Sequence, residues 1–231
     1  MRPNVPPEHL VIFGRPGSGK SSLAERLGAD FGYTLVRTGE MLRDAIRKGG
    51  FLGKRVESHL SRGDLVPDRL IFELLEVDFE APGSSHLLFD GFPRTMGQVP
   101  LLAQFEDRFD FRIGCYLEVD VSRAEAVARM TGRRVCPACG ATYHLISKPP
   151  LAAETCDRDG SKLESRKDDA ADVVEFRQQI YDYHATPILK HYATHSADLC
   201  RRVDGTQGFD AVYEATRQAL GVTGEVTIES P

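Results

Sequence analysis

No run of apolar residues in this 231-residue chain approaches the roughly 18 needed to cross a bilayer as a helix. The first residues, Met1 to Pro7, lack the apolar core of a secretory signal, so the default expectation is a soluble, cytoplasmic protein with no membrane partner. Basic residues are not in excess: 29 Lys and Arg stand against 34 Asp and Glu, and the net charge of −5 argues against a broad nucleic-acid-binding face. Local arginine clusters remain compatible with that balance, and small phosphorylated substrates suit it better than polymers. Internal repeats and low-complexity tracts are missing. A hydrophobic content of 41% over this length suffices for a substantial core, either one large domain or one domain carrying insertions.

The most informative segment is Gly14-Arg15-Pro16-Gly17-Ser18-Gly19-Lys20-Ser21, a GxxxxGKS pattern directly after the apolar run Leu10-Val11-Ile12-Phe13. Glycines let such a loop curl so that successive backbone N–H groups point at an anion, Lys20 adds a mobile positive charge, and Ser21 or Ser22 offers a hydroxyl towards magnesium. Leu23, Ala24, Leu27 and Phe31 follow at helical spacing, which is the strand–loop–helix context that a phosphate-binding loop requires. Further apolar runs at 33–36, 86–89, 113–119 and 199–203 are separated by helix-length segments, so an α/β core with a parallel sheet flanked by helices is expected.

Two stretches interrupt that alternation. From Thr38 to about residue 80 the chain is helical in period, with Met41, Leu42, Ala45 and Ile46 on one face and a break at Gly49-Gly50. From Val135 to about residue 162 there is little helical period and three cysteines among prolines and glycines. A helical pattern returns from Asp168 to about Tyr192, with Val173, Phe176, Ile180, Tyr183 and Ile188 expected to face inward and Pro187 to kink it.

Beside the glycine-rich loop stand Thr38-Gly39-Glu40-Met41-Leu42-Arg43, Gly63-Asp64-Leu65-Val66, Asp90-Gly91-Phe92-Pro93-Arg94-Thr95 with Gln98, Gly132-Arg133-Arg134, Arg166-Lys167-Asp168-Asp169 with Arg177, and Val203-Asp204-Gly205-Thr206. In this order, from about Leu10 to Leu220, the chain closely resembles the adenylate kinases of the long-lid, zinc-binding-lid type, within the nucleoside monophosphate kinases. The resemblance implies reversible transfer of the terminal phosphoryl of ATP to AMP, giving two ADP. It also implies a core P-loop kinase domain of residues 1–36, 67–131 and 170–231, a monophosphate-binding insertion at 37–66 and a lid at 132–169. A monomer is the family default.

The residue types suit that chemistry. A monophosphate acceptor has a second pKa of about 6 and is already an anion near neutral pH. The obstacle is repulsion between phosphates, so magnesium, a lysine, backbone N–H groups and several arginines are the expected tools. Lys20 is assigned to the β- and γ-phosphates of ATP, within a loop formed by Gly17, Ser18, Gly19, Ser21 and Ser22. By resemblance, Arg133, Arg166 and Arg177 act on the transferring group, and Arg43 and Arg94 hold the AMP phosphate; Asp90, at the same strand end as Arg94, could hold magnesium through water or simply order the Gly91–Pro93 turn. The AMP site would further comprise Thr38, Asp64, Leu65, Val66, Gly91, Phe92, Pro93 and Gln98, with Arg166 and Arg177 at its edge. For the ATP base, the family pattern makes Arg129 stack on adenine, with Thr142, Tyr143 and His144 on the facing edge and Gln207 beside them. Asp168 and Asp169 would orient arginines, start the helix after them, or do both.

Cys136-Pro137-Ala138-Cys139 and Cys156-Asp157-Arg158-Asp159 present two close pairs of potential ligands, and such pairs in a reducing compartment read as a structural zinc knuckle. Cys136, Cys139, Cys156 and Asp159 form the expected set, as in zinc-binding relatives, with Asp157 as an alternative fourth ligand. Buried thiols or a disulfide are the competing readings, and a disulfide would leave one of the three thiols unpaired. Cys115 and Cys200 are expected to be small core residues.

Some positions depart from the family pattern. Arg15 and Ser18 stand where many relatives carry small residues, Ser21 where glycine is usual, and Gln207 where lysine is frequent. A UMP/CMP-type or broad-specificity kinase shares nearly all these motifs, and Thr38, where such relatives usually have alanine, is what favours AMP. From another class, a non-catalytic nucleotide-binding module or a zinc-bearing nucleic-acid binder remains open, against which the arginine set and the acidic balance both speak.

Overall fold

The computed structural model describes residues 6–60, 62, 65–78, 86–166 and 169–222. Five strands, β1 (His9–Phe13), β2 (Thr34–Arg37), β3 (Leu87–Asp90), β4 (Cys115–Asp120) and β7 (Cys200–Asp204), form one sheet in the order β2-β3-β1-β4-β7. Every pairing in it is parallel. The five apolar runs of the sequence supply these strands. The central strands β1, β3 and β4 alternate their side chains between two covered faces, which is why those runs are largely apolar, whereas the edge strands β2 and β7 carry exposed Thr34 and Arg202. Val11, Phe89 and Tyr116 enter one buried cluster, while Leu10, Ile12, Leu88 and Leu117 enter the other.

Helices fill the crossovers. α1 (Lys20–Phe31) lays Leu23, Ala24 and Leu27 on the second cluster, and its C-terminal Gly32 donates its N–H to the Gly28 carbonyl at 2.9 Å. The segment after β2 forms α2 (Thr38–Lys48), α3 (Gly50–Leu60) and α4 (Asp68–Asp78), with α2 ending at the glycine pair. α5 (Val99–Arg108) follows a short 3-10 turn at Met96–Gln98, and α6 (Arg123–Thr131) follows β4. Next come two short antiparallel strands, β5 (Arg133–Val135) and β6 (Thr142–His144), with their own small buried cluster of Cys136, Ala141, Tyr143, Cys156 and Leu163. The 25-residue α7 (Ala171–His195) returns to the sheet, and α8 (Phe209–Ala219) is the last element among the described residues.

The inward face expected for α7 requires correction. Val174, Gln178, Ile188 and Tyr192 are buried, whereas Phe176 and Tyr183 are exposed, Tyr183 by 77%. Apolar periodicity misjudged the helix because Gln178, in its N-terminal half, is buried and hydrogen-bonded to the glycine-rich loop. α7 runs through Pro187 without interruption. Cys115 is buried as expected, and Cys200 is half-buried. Among the described residues, no helix is long and apolar enough to cross a membrane.

Candidate functional site

The site lies at the carboxyl ends of the parallel strands, where α/β sheets characteristically bind ligands. The loop from Gly14 to Gly19 joins β1 to α1 there. Its course depends on Gly17, at φ +91°: a Cβ at this position would stand 2.4 Å from the Ala126 carbonyl of α6. The first turn of α1 carries no acidic side chain, so its free N–H groups and positive helix end stay available to an anion. Ser21 and Ser22 are exposed on that turn. Lys20 donates from Nζ to the Arg15 carbonyl at 3.4 Å. Burial lowers its pKa to about 8, with Arg94, Arg177 and Arg133 adding to the depression and Asp90 opposing it. Four cations and one carboxylate from separate segments of sequence therefore share one field, an arrangement suited to several negative charges.

Asp169 organises the arginines on the far side. Its buried carboxylate accepts Arg133 Nε at 2.8 Å and Arg133 Nη2 at 2.5 Å, and lies 3.8 Å from Arg177 Nη1. Arg133 opens β5 and Arg177 sits on α7, so one carboxylate ties the small hairpin to the sheet-packed helix. The Arg166 carbonyl accepts the Asp169 N–H at 3.0 Å, which brings Arg166 next to the same cluster. Asp168 lies outside the described residues, as does Asp64.

On the near side, β3 ends at the buried Asp90, and the chain turns through Gly91 at φ +85° and a cis Phe92–Pro93 bond. Arg94 folds back to donate from Nε to the Gly91 carbonyl at 2.8 Å. A Cβ on Gly91 would stand 2.5 Å from Arg94 Nη2, so the turn needs glycine. The guanidiniums of Arg43 and Arg94 converge over Gly39, whose missing Cβ would be 3.6 Å from Arg43 Nη1 and 3.7 Å from Arg94 Nη2. An adjoining open pocket is lined by Thr38, Leu42, Leu60, Leu65, Val66, Ile71, Gly91, Arg94 and Gln98. Phe92 does not line it, being buried in the first cluster.

Two polar side chains in this pocket are already held. Thr38 Oγ1 donates to the Gly91 carbonyl at 2.8 Å. Gln98 accepts the Arg94 N–H at 2.7 Å and donates from Nε2 to Asp68 Oδ1 at 2.7 Å. Thr95 Oγ1 also donates to Asp68, at 3.0 Å to Oδ2. A carboxylate accepts only and a backbone N–H donates only, so these neighbours fix which end of the Gln98 amide is which. Asp68 was missed in the sequence. The single available signal was an acidic residue in the first turn of an amphipathic helix, which reads equally well as a helix start.

Arg129, on α6, pairs with Glu125 at 2.7 Å and reaches from the Ser18 carbonyl to the Thr206 carbonyl, each at 3.4 Å. It therefore stands between the glycine-rich loop and the turn after β7, where Gln207 is exposed. In the hairpin, Arg133 pairs with His144, Arg134 with Tyr143 and Val135 with Thr142. With a two-residue period, Thr142 and His144 share the face of Arg133, and Tyr143 takes the other. Tyr143 is accordingly buried, its hydroxyl accepting the Asp157 N–H at 2.8 Å and lying 3.5 Å from Cys156 Sγ.

That second face holds a cluster that could hold a metal. One donor atom each from Cys136, Cys139, Cys156 and Asp159 lies within 4.8 Å of the others. Cys139 Sγ and Cys156 Sγ are 3.6 Å apart, and Cys136 Sγ is 3.3 Å from Asp159 Oδ2. Tetrahedral ligands at about 2.3 Å from a metal are about 3.8 Å from one another, so the spacing fits. Each pair sits on a matching turn: Gly140 N–H donates to the Cys136 carbonyl at 3.0 Å and Gly160 N–H to the Cys156 carbonyl at 2.9 Å. Ser161 N–H donates to Asp159 Oδ1 and holds its carboxyl below the usual range. Asp157 instead accepts the Leu151 N–H at 2.8 Å, and Asp159 is the carboxylate that lies in the cluster.

Comparison with known proteins gives a consistent family. The family model described as adenylate kinase matches residues 12–197. The chain is 35% identical over 212 residues to an adenylate kinase of Carboxydothermus hydrogenoformans, covering 91% of this chain and 98% of that protein. It is 36% identical over 212 residues to one from Thermococcus onnurineus, covering 92% and 93%, and 35% identical over 212 residues to one from Pyrococcus furiosus, covering 92% and 95%.

Proposed function

Since the chain belongs to the adenylate kinase family, and so to the ATP:AMP phosphotransferases, which act with Mg²⁺ on ATP, we propose a division of that reaction among its residues. The loop of Gly17, Ser18, Gly19, Ser21 and Ser22 cradles the ATP phosphates, and Lys20 draws charge from the β- and γ-phosphates. Arg43 and Arg94 fix the AMP phosphate, in a pocket whose base-binding part is Thr38, Leu65, Val66 and Gln98. Arg133, Arg166 and Arg177 offset the charge of the group in flight. Arg129, Thr142 and Gln207 border the ATP base, with Tyr143 contributing from within the lid as support for the hairpin. Ser21 and Asp90 are the residues that would hold magnesium, which supplies charge neutralisation of the phosphates when bound.

The observation that carries this reading is the gathering of Arg94, Arg177 and Arg133 around the buried Lys20, although no segment holds more than one of them. Like charges are costly to gather, and such a gathering is explained by anions that belong between them. The acceptor phosphate, already ionised, needs positioning rather than a strong base. The insertion at 37–66 and the lid at 132–169 close over the two nucleotides and exclude water that would otherwise hydrolyse ATP.

Zinc is our reading of the cluster of Cys136, Cys139, Cys156 and Asp159, because three thiolates and one carboxylate in a closed tetrahedral set suit a structural rather than a reactive ion. It braces a hairpin whose buried apolar cluster is too small to hold it alone. Protein purified in the cytoplasmic, monomeric form that we expect should make ADP from ATP·Mg²⁺ and AMP. UMP, CMP, GMP and dAMP offered separately should be slower, and Lys20→Met should abolish the reaction. Preference for a pyrimidine monophosphate would overturn the base assignment, and silence with all five would overturn the catalytic one.

A further inference from the structure

The side chain of Arg15 lies at the root of the glycine-rich loop and leaves it entirely. Nε donates to the Val121 carbonyl at 3.1 Å, Nη1 to Gln178 Oε1 at 3.0 Å, and Nη2 pairs with Asp182 Oδ1 at 2.9 Å. Its guanidinium also stands 4.9 Å over the Tyr181 ring. Gln178, fully buried, completes the link by donating from Nε2 to the Pro16 carbonyl at 2.9 Å. Asp182 is held in turn by Arg123 of α6 at 3.2 Å. Loop residues 15 and 16 are thus fastened to one stretch of α7, and that stretch begins at the residue after Arg177. The backbone of Arg15 faces the opposite way, its carbonyl accepting Lys20 Nζ and the Ser18 N–H.

We propose that Arg15 is a positioning residue that sets the separation between Lys20 on the loop and Arg177 on α7. This rests on the reading that Lys20 and Arg177 face the phosphates from two sides. Lys20 opens α1 and Arg177 lies on α7, two separate elements. Their spacing is fixed by the path Lys20, Arg15 carbonyl, Arg15 guanidinium, Gln178 and Asp182, Arg177. A guanidinium is the one side chain with enough donors in a rigid fork to satisfy a carbonyl, an amide oxygen and a carboxylate at once. The sequence holds arginine here although the loop pattern itself asks for no particular residue at that position. Loss of the brace loosens the spacing of two groups that act together in the transition state, and displacements of about 1 Å in such pairs cost about 100-fold in rate.

The test is a kinetic cycle in the full-length protein. Arg15→Ala should lower kcat by about 10- to 100-fold while KM for ATP and for AMP stays within about twofold. Arg15→Lys should not restore it, because an ammonium cannot make the fork of contacts. Arg177→Ala should lower kcat by itself, and adding Arg15→Ala to it should cost no more than about a further threefold, since the brace then has nothing left to position. Asp182→Asn, which takes the charge from the pair and leaves Arg15 a neutral acceptor in its place, should show a smaller fall in kcat in the same direction, and it carries the test if Arg15→Ala fails to fold. Losses that multiply in the double variant, or a kcat unchanged in Arg15→Ala and Asp182→Asn, would overturn the proposal while leaving the role of Arg177 intact. An unimpaired Arg177→Ala enzyme would overturn that role and the proposal with it.

Discussion

Above a pH of about 8, phosphate binding next to Lys20 should draw a proton from solution. The ammonium is lowered from its ordinary 10.5 to about 8 by burial and by the guanidiniums around it. At pH 9 about one Lys20 in ten is then charged in the nucleotide-free protein. Phosphates in contact favour the charged form and return the group towards its ordinary value, so about 0.9 proton should be taken up per nucleotide bound, and affinity at pH 9 should be about tenfold, or ~1.4 kcal/mol, weaker than at neutral pH. The ADP phosphates are fully ionised throughout this range and contribute no proton of their own. Calorimetric titration with ADP in buffers of different ionisation enthalpy measures the uptake directly, and Lys20→Met should show none. The folding stability of the nucleotide-free protein moves in the opposite direction. Lys20 binds its proton less tightly folded than unfolded, so its contribution to stability rises with pH between about 8 and 10.5. A Kd for ADP that stays flat from pH 7 to 9.5 with no proton uptake would refute the reasoning.

Removing metal from the cluster of Cys136, Cys139, Cys156 and Asp159 should lower the melting temperature by about 5 °C or more, on the basis of about 2 kcal/mol and roughly 2–4 °C per kcal/mol at this size. Activity at low temperature should change less, and equal melting curves after verified metal loss would count against a structural ion. Asp159→Ala should lose the metal, measured by elemental analysis, where Asp157→Ala should keep it. Asp169→Asn takes the charge from between Arg133 and Arg177, and should cost about 2–3 kcal/mol in urea denaturation, below the 3–5 of a fully buried pair because Arg133 keeps 20% of its side chain exposed. Unaltered stability together with unaltered kcat would show that the arginines need no such anchor. Asp68→Leu releases the Gln98 amide and should raise KM for AMP about tenfold, consistent with about 1.5 kcal/mol for a hydrogen bond to a charged group, and should narrow the preference for AMP over GMP. An unchanged AMP-to-GMP ratio in steady-state assays would contradict the role given to Asp68.

The elements that were legible in the sequence are those set by a single local rule. The central strands were readable because residues buried on both sheet faces must be apolar, and the glycine-rich loop because its path leaves no room for a side chain at Gly17 beside the Ala126 carbonyl. The convergence of Cys136, Cys139, Cys156 and Asp159 was readable because close pairs of such residues on tight turns have fixed spacing. What escaped depends on long-range polar pairing. Gln178 looks like a solvated position on α7, yet it is fully buried because it meets Arg15 and Pro16 more than 160 residues earlier in the chain. Asp68 earns its place through Thr95 and Gln98, which no periodicity relates to it. Tyr143 alternates away from Thr142 only once the register of the hairpin is known.

Transfer of a phosphoryl group from ATP to AMP is proposed to run across the cations gathered at Lys20, Arg94, Arg133 and Arg177. Its most direct test uses ATP isotopically labelled in the terminal phosphoryl, mixed with AMP, Mg²⁺ and the full-length protein, with products resolved by mass. The label should appear in the β-phosphoryl of the ADP formed from AMP, matched one to one by unlabelled ADP from ATP, and should fail to transfer with Lys20→Met. Label released as inorganic phosphate, with AMP unchanged, would contradict the account.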